Sequence, residues 1–168
     1  MSGLVFSLLF GRNDQVIAKM IKFLELKDIN SLCRDELVAA CTRVVDSGWY
    51  IGGTELQIFE REFAAYCGTR HCIGVANGLD ALVLVIRAWK ELGYMSEGDE
   101  IIVPSNTYIA SVLAISENGL VPVLVEPDPD TRNLCPMAVE SAITKKTKAI
   151  LPVHLYGRMA DMPKIMAV

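Results

Sequence analysis

The stretch IGVANGLDAL, residues Ile73–Leu82, says most about how this chain is expected to fold. Its β-rich first half predicts a strand over Cys72–Ala76, and the apolar run after the Asn77-Gly78 turn predicts a helix over Leu79–Leu92. The first N–H groups of a helix have no partner inside it, and the helix dipole adds partial positive charge there. A phosphate fits such a place, and glycine lets it approach the backbone closely. The stretch therefore predicts a binding site for a phosphorylated small molecule.

Strands and helices alternate on the carboxyl side of this stretch. Further strands are predicted over Ile101–Pro104, Val121–Glu126 and Ala149–Leu155, and helices over Tyr108–Glu117 and Pro136–Ile143. This β-α-β-α-β-α-β order predicts an α/β fold with a mostly parallel sheet, right-handed crossovers and helices on both faces. Upstream, residues 34–47 and 54–66 have the spacing of amphipathic helices, and a glycine-flanked aromatic loop, residues 48–53, joins them.

Composition narrows the classes of protein to consider. The chain has 168 residues, 52% of them hydrophobic, a mean hydropathy of +0.34 and a net charge of −4. No uncharged run approaches the ~20 residues of a membrane-spanning helix, and no basic cluster predicts nucleic-acid binding. The cysteines number five, without a C-x-x-C pair, and only His71 and His154 could join them at a metal. We therefore expect free thiols, a cytoplasmic location and no metal site.

The N-terminal residues 1–19 are interpreted as an extension outside the fold. Gly3–Phe10 is apolar but lacks the basic leader and the cleavage site of a signal peptide, and a second natural start follows at Met20. Residues 20–168 are then expected to be the N-terminal portion of a larger domain. The segment after Asp161 predicts a helix that is only beginning, with Asp161 as its cap, so the domain is expected to be truncated.

Polar and aromatic residues are predicted to follow several strands, at the edge where open parallel sheets bind ligands. Candidate residues are Asn77 after the first strand, Thr107 and Tyr108 after the second, His154 at the end of the last and Tyr156 just after it. For three of these candidates, a purely structural role is an open alternative to ligand binding. An Asn-Gly pair also serves as a plain turn and cap, Tyr108 also suits a core, and a histidine ending a strand also suits a buried site.

Several short motifs resemble the DegT/DnrJ/EryC1/StrS family of pyridoxal-phosphate (PLP) sugar-nucleotide aminotransferases, which have fold type I. The resemblance extends from about Met20 to the last residue and rests on SGWYIGG (47–53), FEREFA (59–64), GVANGLDAL (74–82), PSNTYIAS (104–111) and PVHLYG (152–157). The segment Asn77–Asp80 is similar to the subgroup that acts on dTDP-3-keto-6-deoxyhexoses. The resemblance implies the large, PLP-binding domain of such an enzyme.

The resemblance also implies roles for individual residues. Amides of Gly78, Leu79 and Asp80 would bind the PLP phosphate, and Tyr108 would stack on the pyridine ring. The loop 48–53 would lie near the sugar nucleotide or a homodimer interface. Candidates near the substrate are Tyr50, Asn77, Thr107, His154 and Tyr156.

The family's Schiff-base lysine follows the PVHLYG motif at a distance, and no lysine of this sequence is matched to it. The complete enzyme would transfer an amino group from glutamate to a keto-sugar nucleotide, in deoxyaminosugar or surface polysaccharide (lipopolysaccharide) biosynthesis. This chain alone is predicted to be an inactive fragment, because transamination needs that amine. Alternatives are a non-catalytic pseudo-enzyme or dimer partner, and a PLP-dependent sugar dehydratase. A dinucleotide-binding fold is disfavoured, because G-x-G-x-x-G is missing after the first predicted strand.

Overall fold

The computed structural model describes residues 22–168, so the predicted extension over residues 1–19 lies outside the described residues. The described residues form two compact units, which divide between Cys72 and Ile73. The first unit is helical, with α1 over Leu26–Ser31, α2 over Arg34–Ser47 and α3 over Thr54–Cys67.

The bounds of α2 and α3 agree to within one residue with the helices predicted over residues 34–47 and 54–66. Each ends at a glycine in the left-handed region, Gly48 with φ 64° and Gly68 with φ 68°, a conformation that glycine adopts without a Cβ penalty. Glu55, in the first turn of α3, accepts from Arg43 of α2 at 2.5 Å (Nε) and 2.9 Å (Nη2). The hydrogen bonds and charge of this guanidinium lower the pKa of Glu55.

The second unit contains a sheet of three parallel strands in the order β2-β1-β3. Its elements are α4 (Gly78–Glu91), β1 (Glu100–Pro104), α5 (Ile109–Glu117), β2 (Val121–Val125), α6 (Pro136–Ala142), β3 (Thr147–Ile150), a 3-10 turn (Leu155–Gly157) and α7 (Met162–Ala167). Side chains of the central strand alternate between two cores. Ile101 and Val103 pack with residues of α4 and α5, and Ile102 packs with residues of α6 and α7.

Both faces of the sheet are therefore covered by helices, as predicted for an α/β fold. Ile102 and Val103 are completely buried, which explains why β1 is apolar without interruption after Glu100. In α7, Asp161 caps the helix as expected, with Oδ1 accepting from the Lys164 N–H at 3.3 Å.

The predicted strand over Cys72–Ala76 is wrong: among the described residues this segment joins no ladder. Ile73 is 79% exposed and Val75 40% exposed. β-Branched residues favour a strand only where a neighbouring strand and a packed face are available, and neither is present here. The last strand also ends earlier than predicted, at Ile150. The Leu151 N–H still donates to the Ile102 carbonyl (2.8 Å), and the chain then leaves the sheet.

Candidate active site

The carboxyl ends of the strands share one edge of the sheet, because all the strands are parallel. Helix α4 precedes β1 and α5 follows it, so both helices begin at this edge. Lys90, in the last turn of α4, donates to the carbonyl of Asn118, just after α5, so the carboxyl ends of the two helices lie together, away from this edge. The N-terminus of α4 and the loop after β1 therefore lie on one side of the unit. The turn after β3 lies there too.

Asn77 caps helix α4 with its side chain. Its Oδ1 accepts from the Asp80 N–H at 3.0 Å, and its Nδ2 donates to Asp80 Oδ2 at 3.0 Å. The interpretation of the Asn-Gly pair as a helix cap is thus confirmed. The Asp80 amide already has an acceptor, so Gly78 and Leu79 carry the amides for which the start of α4 supplies no acceptor.

Gly78 leaves room in front of these amides. An added Cβ at this position would meet nothing within 4 Å, and the residue is exposed. Leu79 is half-buried and packs against the core beside α5, which anchors the first turn of α4. The helix start therefore combines rigid, outward-facing N–H donors with space for an anion.

Tyr108 is a surface residue and not part of the core. It stands at the N-cap of α5 in an extended conformation, with 79% of its surface exposed. The preceding Thr107 is held by its Oγ1, which lies 2.8 Å from Oγ of the buried Ser111 in the first turn of α5. The loop after β1 is thus fixed to the first turn of α5, while the ring of Tyr108 remains accessible.

The turn after β3 also presents its side chains to solvent. His154 is exposed, and its Nδ1 accepts from the Ala160 N–H at 3.2 Å, so the alternative of a buried histidine is wrong. Tyr156 is 89% exposed and has φ 55°, in the left-handed region. Such a conformation is uncommon for a residue other than glycine and often marks a functional loop.

The sequence reasoning missed Asn133. Its side chain is almost completely buried, Nδ2 donates to the Arg158 carbonyl at 2.9 Å, and Oδ1 accepts from the Leu155 N–H at 3.0 Å. Nothing in the local pattern pointed to it, because its partners lie more than twenty residues away in the chain. The sequence shows only an asparagine after a turn rich in proline and aspartate, and it does not show that this side chain is buried.

Tyr50 belongs to the first unit, where the loop 48–53 borders a cavity of about 460 Å³. Trp49 and Tyr50 line this cavity and are 57% and 68% exposed. Gly53 is required by close packing, since an added Cβ would lie 2.8 Å from the Trp49 carbonyl oxygen. The loop therefore offers two accessible aromatic rings on a tightly folded backbone.

The carboxyl edge of the second unit fits a phosphorylated aromatic cofactor. The Gly78 and Leu79 amides suit its anionic end, and the accessible ring of Tyr108 suits a flat heterocycle. Among residues 22–168, no group of three or more His, Cys, Asp or Glu side chains could hold a metal ion. In the same part of the chain, no helix is long and apolar enough to cross a membrane. All five cysteines lie within residues 22–168 and are free thiols.

Comparisons with known proteins identify the fold and the family. The chain is 59% identical over 146 residues to the dTDP-3-amino-3,6-dideoxy-alpha-D-galactopyranose transaminase of Aneurinibacillus thermoaerophilus. The match covers 87% of this chain and 39% of that relative. The structure also superimposes on S. venezuelae DesV in complex with its ketimine intermediate, with a TM-score of 0.80 and 53% identity, covering 88% of this chain and 38% of DesV.

A second solved structure contains the cofactor in its amino form. The ntda protein of Bacillus subtilis with bound PMP has a TM-score of 0.77 and 34% identity, covering 88% of this chain and 33% of ntda. The chain thus spans about 39% of the length of the first relative. The model of the DegT/DnrJ/EryC1/StrS aminotransferase family matches residues 32–168, and the chain belongs to this family.

Proposed function

We propose that this chain supplies the cofactor-phosphate cradle of a PLP-dependent sugar-nucleotide aminotransferase. The observation that carries the proposal is the start of α4, where Asn77 occupies the Asp80 amide and leaves those of Gly78 and Leu79 as donors. An exposed aromatic ring, Tyr108, stands on the same edge of the sheet. An anion and a flat heterocycle joined in one molecule would use both features.

The chain's own residues hold the cofactor by two kinds of contact. Each hydrogen bond from the Gly78 or Leu79 N–H to a charged phosphate is worth about 1.5–3 kcal/mol. Stacking on Tyr108 adds about 0.5–1.5 kcal/mol beyond the buried area. When bound, PLP supplies an electron sink for the carbon that exchanges its amino group. Tyr108 orients the ring, and the α4 amides fix the phosphate that anchors it.

The relatives support the proposed substrate class. Identity of 59% to a dTDP-3-amino-3,6-dideoxy-galactopyranose transaminase supports a dTDP-linked 3-keto-6-deoxyhexose as amino acceptor. Glutamate is the proposed donor, and the product enters deoxyaminosugar or lipopolysaccharide biosynthesis in the cytoplasm. We propose that His154 and Thr107 lie near the sugar and that Tyr156 lies where the sugar meets the cofactor. Tyr50 and its loop are proposed to lie near the nucleotide or at a homodimer interface.

Cofactor binding and turnover are separate parts of this proposal. The Schiff-base role is assigned to no lysine of this sequence, so the 168-residue polypeptide is proposed to bind the cofactor without transferring amino groups. Incubation with PLP, glutamate and a dTDP-3-keto-6-deoxyhexose, followed by mass spectrometry of the sugar, tests this. Formation of the amino sugar would refute the proposed inactivity and leave the binding proposal standing.

Calorimetric titration with pyridoxamine phosphate tests the binding site directly. This amine has no aldehyde, so it forms no Schiff base with surface lysines. Pyridoxamine, which lacks the phosphate, is the matched control ligand. Losing two charge-assisted hydrogen bonds predicts that pyridoxamine binds at least about 100-fold more weakly. Equal affinity for the two ligands would overturn the proposed phosphate cradle.

A further inference from the structure

The segment Asp128–Asn133, called here the bridging segment, connects two loops of the carboxyl edge. It follows β2 and leads to α6, whose chain continues to β3 on the other side of β1. The segment therefore crosses the end of β1. Asn106, in the loop after β1, donates from Nδ2 to the Arg132 carbonyl at 2.9 Å. The loop that carries Tyr108 is thus tied to this segment.

The bridging segment is itself rigidly folded. The Asp128 carboxylate accepts from the N–H groups of Thr131 at 2.8 Å and Asp130 at 3.0 Å. The Asp128 N–H donates to the Asn133 carbonyl at 2.9 Å, which closes the turn. The hydrogen bond from the Thr131 N–H is the largest cause of a lowered pKa at Asp128, so the carboxylate form holds the turn.

Asn133 joins this segment to both ends of the 3-10 turn after β3. Its carboxamide accepts from the Leu155 N–H (3.0 Å) and donates to the Arg158 carbonyl (2.9 Å), so it binds the backbone on each side of Tyr156. Only 2% of Asn133 is exposed. The hydrogen bonds of a buried polar side chain favour one geometry, because a buried donor or acceptor left unpaired costs free energy.

Tyr156 needs such support. Its backbone lies in the left-handed region with φ 55°, which costs a residue with a Cβ about 1 kcal/mol or more. Its ring makes no compensating burial, being 89% exposed. The conformation therefore persists because the surrounding hydrogen bonds impose it. The Arg158 N–H donates to the Leu155 carbonyl at 3.1 Å across the turn, and the Asn133 side chain binds the same two residues from outside it.

We propose that Asn133 is a positioning residue that holds Tyr156 against the ligand bound at the Tyr108 loop. The loop of Tyr108 and the turn of Tyr156 are brought together specifically, because the bridging segment is hydrogen-bonded to both. This inference rests on the proposed function for the identity of the ligand. It adds a residue that touches neither cofactor nor substrate and acts through the placement of Tyr156.

A double-mutant cycle in pyridoxamine phosphate affinity tests the coupling. Tyr156→Ala removes an aromatic contact and is expected to weaken binding about 2- to 10-fold. Asn133→Ala is expected to weaken it by a similar factor, and the double variant by no more than the larger single effect. Multiplicative effects, wild-type affinity in Asn133→Ala, or no effect of Tyr156→Ala would overturn the proposal.

Asn118→Ala is the matched control. Asn118 is also buried, with 3% exposed, and its Nδ2 donates to the Val83 and Ala114 carbonyls, but it lies at the opposite end of α5 from the site. It is expected to lower the melting temperature as Asn133→Ala does while leaving the affinity unchanged. An equal loss of affinity in both variants would show general destabilisation and overturn the positioning role.

Hydrogen exchange at the Leu155 amide separates this inference from the proposed function. The Leu155 N–H donates to Asn133 Oδ1, so Asn133→Ala is expected to raise its exchange rate at least tenfold, whereas Asn118→Ala leaves it unchanged. If the wild-type protein binds pyridoxamine as tightly as pyridoxamine phosphate, the proposed function fails. A raised exchange rate of the Leu155 amide in Asn133→Ala would still show that Asn133 holds the turn. An unchanged rate in Asn133→Ala overturns the hold itself.

Discussion

Replacing Gly78 by proline removes one of the two proposed phosphate donors of α4 without removing the helix. Gly78 is the first residue of the helix, the position where proline is tolerated because its N–H has no intrahelical acceptor. Asn77 before it is extended, with φ −162° and ψ 176°, as a residue preceding proline prefers. Gly78→Pro therefore changes the donor set of the site and little else.

The expected loss is that of one charge-assisted hydrogen bond, about 1.5–3 kcal/mol, or roughly 10- to 150-fold in affinity for pyridoxamine phosphate. Gly78→Ala is the matched control, because it also adds a Cβ, into space empty within 4 Å, and keeps the N–H. Comparing proline with alanine isolates the donor. Affinity for pyridoxamine without phosphate is expected to be the same in both variants.

Calorimetric titration at equal protein concentration measures the two affinities, and circular dichroism checks that the variants keep their helix content. A folded Gly78→Pro variant that binds pyridoxamine phosphate as tightly as Gly78→Ala would contradict the assigned donor. It would show that the phosphate is held elsewhere than at the first turn of α4.

Four further predictions concern stability and are measured by chemical denaturation. Asn77→Ala is expected to lower the free energy of unfolding by about 1 kcal/mol, because it removes the cap of α4. Ile102→Ala should cost about 2–5 kcal/mol and Ile102→Val about 0.5–1.5 kcal/mol, since this side chain is completely buried; equal costs would contradict the packing. Gly53→Ala should destabilise, because its Cβ would lie 2.8 Å from the Trp49 carbonyl oxygen, and an unchanged midpoint would contradict this close approach. Because the pKa of Asp128 is lowered in the folded state, its stabilising contribution is complete above its unfolded pKa and is lost as the pH falls through its folded pKa. Asp128→Asn should therefore flatten the pH dependence of stability below about pH 4. An unaltered pH profile would contradict this prediction.

Much of the fold could be predicted because its signals are local. The periodicity of residues 34–47 and 54–66 indicated α2 and α3, and the Asn77-Gly78 turn indicated the start of α4. The apolar run of β1 indicated a strand covered on both faces. The strand expected over Cys72–Ala76 shows the limit, because a strand exists only with a hydrogen-bonded neighbour, and no such neighbour can be read from its own residues.

The amino-acid sequence was sufficient to predict the alternation of helices and strands from α4 onward, the capped start of α4 and, through the motifs, the family. Two features required the folded chain: Tyr108 and His154 are exposed, and Asn133 binds the turn of Tyr156. The difference arises from distance along the chain. Caps and helical faces depend on neighbours within four residues, whereas exposure and the bonds of Asn133 depend on segments that only folding brings together.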